Sequence, residues 1–168
     1  MKRFIQCLLV TFLLTGCGTN TAQTETFDYY KTVDLEQLTF DEAYKYYEEG
    51  NSGVLFMSFV DCPYCEAAYP IFREICDEYK DVPVYYVNID RSERDNGQPT
   101  YDLWVEALDE FLDPENKTIF IPTVIALNKG TIMASVVGTV SDLEDMSKPE
   151  EIEKQRDAYR NVFYRAGD

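Results

Sequence analysis

The feature that most constrains this chain is a pair of cysteines at the seam between two unlike segments. Val54 to Val60 is apolar at every position except Ser58. Such a run predicts a strand buried on both faces, as at the centre of an α/β sheet. From Pro63 onward, Ala67, Ala68, Ile71, Phe72, Ile75, Cys76 and Tyr79 form a continuous apolar stripe at helical spacing. Cys62-Pro63-Tyr64-Cys65 joins the two. Proline suits a first helical position, where its missing N–H is not needed. Cys62 therefore falls at a helix N-terminus, whose free N–H groups and positive dipole end favour thiolate over thiol. A pKa below the roughly 8.5 of a free thiol follows, and the thiolate is the attacking species in disulfide exchange. Cys65, one turn later and facing inward, can then attack the mixed disulfide and release the substrate. Asp61 and Glu66 act against the thiolate, so the net pKa is not set by the sequence.

The remaining segments supply the parts of one domain. Residues near Tyr29 to Val33 are read as a short first strand. Thr39-Phe40-Asp41-Glu42 is a capping-box pattern opening a helix that ends before Gly50. Val84 to Ile89 is a second apolar strand, and Arg91 to Gln98 is polar and loop-like. Thr100 is expected to cap a helix with the stripe Leu103, Trp104, Ala107, Leu108, Phe111 and Leu112, stopped by Pro114. Ile119 to Leu127 and Thr131 to Val137 read as strands joined by a hairpin turn at Asn128-Lys129-Gly130. Pro149 to Arg165 is a final amphipathic helix. With no internal repeat and no second domain boundary, these pieces predict an α/β domain with a central mixed sheet flanked by helices.

The N-terminus reads as an address. Met1-Lys2-Arg3 is followed by an apolar stretch from Phe4 to Leu14, broken only by Gln6 and Thr11. It is short for a membrane span of roughly 20 residues and suits a signal peptide. Leu14-Thr15-Gly16-Cys17 resembles the bacterial lipobox, which implies cleavage before Cys17 and lipidation of that residue. The expected division is a lipoprotein signal peptide at 1–16, a flexible tether at 17–26 and one folded domain at 27–168. The resemblance places the protein outside the cytoplasm, lipid-anchored to the bacterial cell membrane, with Cys7 discarded with the signal.

Composition excludes several functions. The formal charge of −16 disfavours nucleic acid, whose phosphates would be repelled. The chain has no histidine, so Ser-His-Asp, Cys-His and His-ligated metal chemistry are ruled out. A zinc site at Cys62 and Cys65 would lack two ligands, and no metal or other cofactor is expected beyond the redox-active Cys62–Cys65 disulfide.

The landmarks resemble those of the thioredoxin superfamily over roughly residues 40–166. Cys62-Pro63-Tyr64-Cys65 carries the dipeptide typical of glutaredoxins. Pro70 stands five residues after Cys65, where thioredoxins place a helix-kinking proline. Val87-Asn88-Ile89-Asp90 is similar to the next thioredoxin strand, Ile121-Pro122-Thr123 to the cis-proline loop, and Gly138 to a glycine after the hairpin. The resemblance implies a thioredoxin-like fold with an extra helix before the cis-proline strand, and a cis peptide between Ile121 and Pro122. It also implies that Ile121 and Pro122, with Pro63 and Tyr64, bind an extended substrate. Two departures stand out. Asp61 occupies the place of a tryptophan, and Phe56 that of a buried aspartate which assists proton transfer. Glu66 and Asp61 become the candidates for that transfer. The added segment from Arg91 to Lys117 has a fainter likeness to bacteriocin transport accessory proteins.

The expected function is thiol–disulfide oxidoreduction on exported proteins, with Cys62 and Cys65 catalytic and a membrane electron-transfer partner renewing them. The alternative is a non-enzymatic lipoprotein serving as a binding module or as an accessory to peptide secretion. A monomer is expected. Cys76 lies 11 positions after Cys65, about 16 Å along a helix, so it is read as a core cysteine. Trp104 and the Tyr44, Tyr46, Tyr47 group are read as packing residues.

Overall fold

The computed structural model describes residues 33–59, 61–89 and 99–167. The signal segment, Cys17, the tether and most of the first expected strand lie outside these residues. The elements are β1 (Glu36–Thr39), α1 (Phe40–Glu48), β2 (Gly53–Ser58), α2 (Pro63–Glu78), β3 (Val84–Asn88), α3 (Pro99–Ala107), β4 (Thr123–Asn128), β5 (Thr131–Val137) and α4 (Pro149–Gly167), with a short 3-10 turn at Asp109–Phe111 after α3. The five strands form one sheet in the order β1-β3-β2-β4-β5. β3 pairs parallel to both β1 and β2, while β4 runs antiparallel to β2 and β5 antiparallel to β4.

β2 is central, and its side chains serve two cores in alternation. Val54 and Phe56 pack with Ala68, Phe72 and Ile75 of α2 and with Tyr159, Val162 and Phe163 of α4. Leu55 and Met57 face the other way, toward Phe40 and Ala43 of α1 and Trp104 of α3. This two-sided burial is why the run carries no polar alternation. Helices therefore cover both faces, α2 and α4 on one and α1 and α3 on the other.

Local chemistry accounts for the ends of several elements. Thr39 caps α1, its hydroxyl accepting from the Glu42 N–H at 3.2 Å while Glu42 returns a carboxylate to the Thr39 N–H at 2.8 Å. Lys129 and Gly130 both take positive φ, 49° and 71°. That pair is the signature of the tight turn that matches strand twist.

Several boundaries differ from the sequence reading, among them the end of β3 at Asn88 and the end of α3 at Ala107, where a 3-10 turn takes over from the helix expected through Leu112. The first strand is Glu36–Thr39, with Val33 preceding it. It is an edge strand joined to β3 alone, so backbone pairing holds it without an apolar pattern. β2 ends at Ser58. β4 begins at Thr123 and not Ile119, because residues 119–122 form a separate loop. In α3, Thr100 is already helical, and its hydroxyl bonds the Asp41 carboxylate of α1. Trp104, Leu108 and Leu112 line the buried side at four-residue steps, whereas Leu103 is exposed. Among the described residues no helix is long and apolar enough to cross a membrane.

Candidate active site

The strand-to-helix junction is shaped by three adjacent residues. Asp61 takes a left-handed φ of 60°, turning the chain out of β2. Cys62 is the N-cap of α2 in extended conformation, and Pro63 follows at the helix start. A cysteine sulfur here does the work of a capping oxygen: the Cys65 N–H donates to Cys62 Sγ at 3.1 Å. The same turn closes with the Glu66 N–H on the Cys62 carbonyl at 3.0 Å. Cys62 and Cys65 are joined as a disulfide, with Cα atoms 5.2 Å apart. Cys65 is fully buried and Cys62 nearly so.

Facing the disulfide is the loop between residues 117 and 122. The Ile121–Pro122 peptide is cis, and the Ile121 carbonyl lies 3.9 Å from Cys62 Sγ. Several bonds fix this loop. The Gly138 N–H donates to the carbonyls of Pro122 at 2.8 Å and Phe120 at 3.2 Å. Thr123 Oγ1 donates to the Phe120 carbonyl at 2.6 Å. From α3, the Tyr101 phenol oxygen accepts the Ile119 N–H at 3.3 Å.

The approach to Cys62 is apolar. A cavity of about 500 Å³ is lined by Cys62, Phe59, Tyr64, Tyr101, Phe120 and Ile121 among others. A second, of about 440 Å³, shares Tyr64, Phe120 and Ile121 and continues along Val137, Gly138 and Thr139. Phe120 is 52% and Tyr64 39% exposed, unusual for rings of this size, so the two stand as a partition between the cavities.

The residues singled out from sequence thus fall into two groups. Cys62, Pro63, Tyr64 and Ile121 line one cavity, while Cys65, bonded to Cys62, and Pro122, cis to Ile121, are buried next to them. Asp61 and Glu66 are both exposed, and among the described residues neither carboxylate bonds a sulfur. Phe56, where the resemblance led one to look for a buried acid, is fully buried in an aromatic cluster. Its ring lies 4.5 Å from that of Phe72, 5.7 Å from Tyr69 and 5.9 Å from Tyr86.

Cys76 is free and buried, and burial pushes its thiol up to about 12. Tyr101 and Phe120 were missed from sequence. Tyr101 shares the helical period of Trp104 and Leu108 and so reads as core, and nothing marks Phe120 as the exposed member of an apolar run.

The disulfide at a helix start, the cis proline facing it and the β1-β3-β2-β4-β5 order define a thioredoxin-like α/β fold, with helices on both faces of the mixed sheet. No protein-family model matches the chain, and no curated protein matches it. Among solved structures, thioredoxin f2 of Chlamydomonas reinhardtii is similar with a TM-score of 0.42 and 20% identity, over 68% of this chain and 97% of that one. Oxidised thioredoxin O2 of Arabidopsis thaliana is similar with a TM-score of 0.42 and 20% identity, over 70% and 91%. Spinach chloroplast thioredoxin f, in its short form, gives 0.40 and 18%, over 75% and 93%.

Proposed function

We propose that this protein is a thiol–disulfide oxidoreductase acting on exported proteins through Cys62 and Cys65. The observation that carries this reading is the Cys62–Cys65 disulfide at the head of α2, with the Ile121 carbonyl 3.9 Å from Cys62 Sγ. In the reducing direction, the Cys62 thiolate attacks one sulfur of a substrate disulfide, and the other sulfur leaves as a thiolate. The Cys65 sulfur, after losing its proton, attacks Cys62 Sγ in the mixed disulfide. The second substrate sulfur leaves, takes up a proton, and the Cys62–Cys65 bond is restored. The substrate gains two electrons and the dithiol loses two. In the oxidising direction each step runs backwards.

The Ile121 backbone beside the sulfur gives an extended substrate a place to pair as an added strand. Pro63 and Tyr64 flank the same path. The lipobox-like Leu14-Thr15-Gly16-Cys17 supports a lipid anchor on the outer side of the bacterial membrane. A membrane electron-transfer partner would renew the dithiol there, and the substrates would be exported protein thiols and disulfides. Proton transfer falls to Glu66, Asp61 or water in the cavity, and the protein acts as a monomer.

The test is trapping in cells. Cys65→Ser, which keeps the attacking sulfur and lacks the resolving one, is expected to accumulate mixed disulfides through Cys62 on exported proteins. Cys62→Ser is expected to trap none. If Cys65→Ser traps no protein and the wild type does not reduce insulin, the oxidoreductase reading fails, and a binding or secretion-accessory role takes its place.

A further inference from the structure

The cavity beside Cys62 has a wall that the disulfide and the cis-proline loop do not supply. Tyr101 comes from α3 and lines the same cavity as Cys62 and Ile121. Its hydroxyl accepts the Ile119 N–H at 3.3 Å, which holds the ring against the loop. Ile119 itself is 2% exposed, so the loop end that Tyr101 grips is anchored in the core. The cavity is therefore bounded on its α3 side by a positioned aromatic ring and on its far side by the exposed rings of Tyr64 and Phe120.

Strand geometry says which part of a substrate reaches it. In an extended chain, successive side chains alternate between faces, so residues two apart share a face. If a substrate cysteine points at Cys62 Sγ, its immediate neighbours point away from the protein. The residues two positions before and after it point toward the surface that holds Cys62. They stand roughly 6.6–6.8 Å to either side of the cysteine. Phe59, Tyr101, Phe120 and Ile121 offer no charge to such a side chain. The volume of about 500 Å³ accommodates an aromatic ring or a branched aliphatic group.

Resting on the oxidoreductase reading, we propose that Tyr101 is a specificity-determining residue, and that favoured substrates carry a large apolar side chain two positions from the reacting cysteine. Burial of such a group against the cavity walls strengthens substrate capture, and the ring of Tyr101 supplies one wall. The Tyr101 hydroxyl positions the loop but does not make the selection.

The experiment uses the reduced protein and short alanine-based peptides, each with one cysteine capped by 5-thio-2-nitrobenzoate. The Cys62 thiolate attacks the peptide sulfur, the mixed disulfide forms, and the released nitrobenzoate thiolate is read by absorbance. Phenylalanine is placed in turn one and two positions to either side of the cysteine. A rate constant about tenfold above the all-alanine peptide is expected for at least one of the two-away positions. Less than a twofold change is expected for the adjacent ones. Tyr101→Phe keeps the preference, while Tyr101→Ala reduces it to under threefold when each peptide rate is divided by the same variant's rate with bis(2-hydroxyethyl) disulfide, which is too small to span the cavity.

The wild-type position scan decides the matter even if Tyr101→Ala does not fold. No gain at either two-away position, with the small disulfide reacting normally, overturns the inference and leaves the oxidoreductase reading intact. A full preference retained in folded Tyr101→Ala removes Tyr101 from the role. If bis(2-hydroxyethyl) disulfide does not react with the wild type at all, the oxidoreductase reading falls and the inference with it.

Discussion

The Ile121 carbonyl lies 3.9 Å from Cys62 Sγ, and this approach divides the two cysteines into unequal partners. Cys62 lines the 500 Å³ cavity, whereas Cys65 is fully buried behind it. In the reduced protein, iodoacetamide at neutral pH is expected to modify Cys62 at least tenfold faster than Cys65, since only an accessible thiolate attacks. Peptide mass mapping after short exposure checks this. Equal labelling of the two would mean that the junction opens in solution far more than its bonding implies.

Gly138 holds the opposing loop through its N–H and does so from a φ of 78°. A Cβ at this position would meet Phe120 Cβ at 3.5 Å, an ordinary contact. The cost of Gly138→Ala is therefore backbone strain, about 1–2 kcal/mol for an L-residue in the left-handed region. Urea unfolding is expected to show a loss of that size. Peptide disulfide exchange should slow in the same variant, because relief of the strain shifts the residue 138 N–H away from the carbonyls of Phe120 and Pro122. An unchanged midpoint would show that the loop relaxes without penalty.

What could be read in advance depended on whether the signal was local. β2, the start of α2 and the Asn128-Lys129-Gly130 turn are set by neighbouring residues, and each was legible. β1 was not, because Glu36–Thr39 is an edge strand held by backbone pairing to β3 and contains little apolar surface. The start of β4 was misjudged for a related reason. Ile119, Phe120 and Ile121 have strand-like side chains, yet the Ile119 N–H bonds Tyr101, the Phe120 carbonyl bonds Gly138 and Thr123, and the Ile121 carbonyl faces Cys62 Sγ. At the site, the sulfurs and the proline loop were marked by type and spacing. Tyr101 was hidden by being both a helix-face residue and a cavity wall, a distinction that exists only once α3 is docked.

Trp104, the chain's single tryptophan, locks α3 to α1. Its ring lies 5.3 Å edge-on to that of Tyr44, 5.6 Å from Tyr47 and 6.3 Å from Phe40, and it is fully buried. Trp104→Ala is expected to cost about 3–5 kcal/mol. Trp104→Phe should cost less, since it keeps an aromatic body and removes an indole N–H that has no partner among the described residues. Chemical denaturation followed by circular dichroism separates the two. A Trp104→Ala variant within 1 kcal/mol of wild type would mean that α3 docks by other contacts.

Two ion pairs join α2 to α4, Arg156 to Glu74 at 2.7 Å and Arg160 to Glu78 at 2.9 Å. The glutamates are 59% and 43% exposed at their side chains, so solvent and salt screen both pairs. The cores beneath, Phe72 against Tyr159 and Phe163, hold the helices together. Glu74→Gln and Glu78→Gln are each expected to leave the urea unfolding midpoint nearly unchanged, with any difference vanishing in high salt. A larger, salt-insensitive loss would point to a pairing more enclosed than its exposure indicates.

The last prediction concerns Cys76, whose thiol sits in the core shared by α2 and α4. Burial is the main cause that pushes it up from 9.0 to about 12; nearby Arg73 lowers it and Asp77 raises it. A raised folded value means that the native state keeps the proton which the unfolded chain gives up. The contribution is whole below pH 9, where both states are protonated, and is lost as pH rises toward 12. Within that window the loss approaches about 1.4 kcal/mol per pH unit from this group. Burial raises the phenols of Tyr46, Tyr69 and Tyr159 as well, so the wild type weakens for several reasons and only a difference isolates the thiol. Cys76→Val keeps the site apolar and removes the ionisation, and any packing cost is the same at every pH. Between pH 8 and 10.5 its unfolding free energy should fall by about 1–2 kcal/mol less than that of the wild type. Parallel curves would show that the thiol meets solvent in the native state.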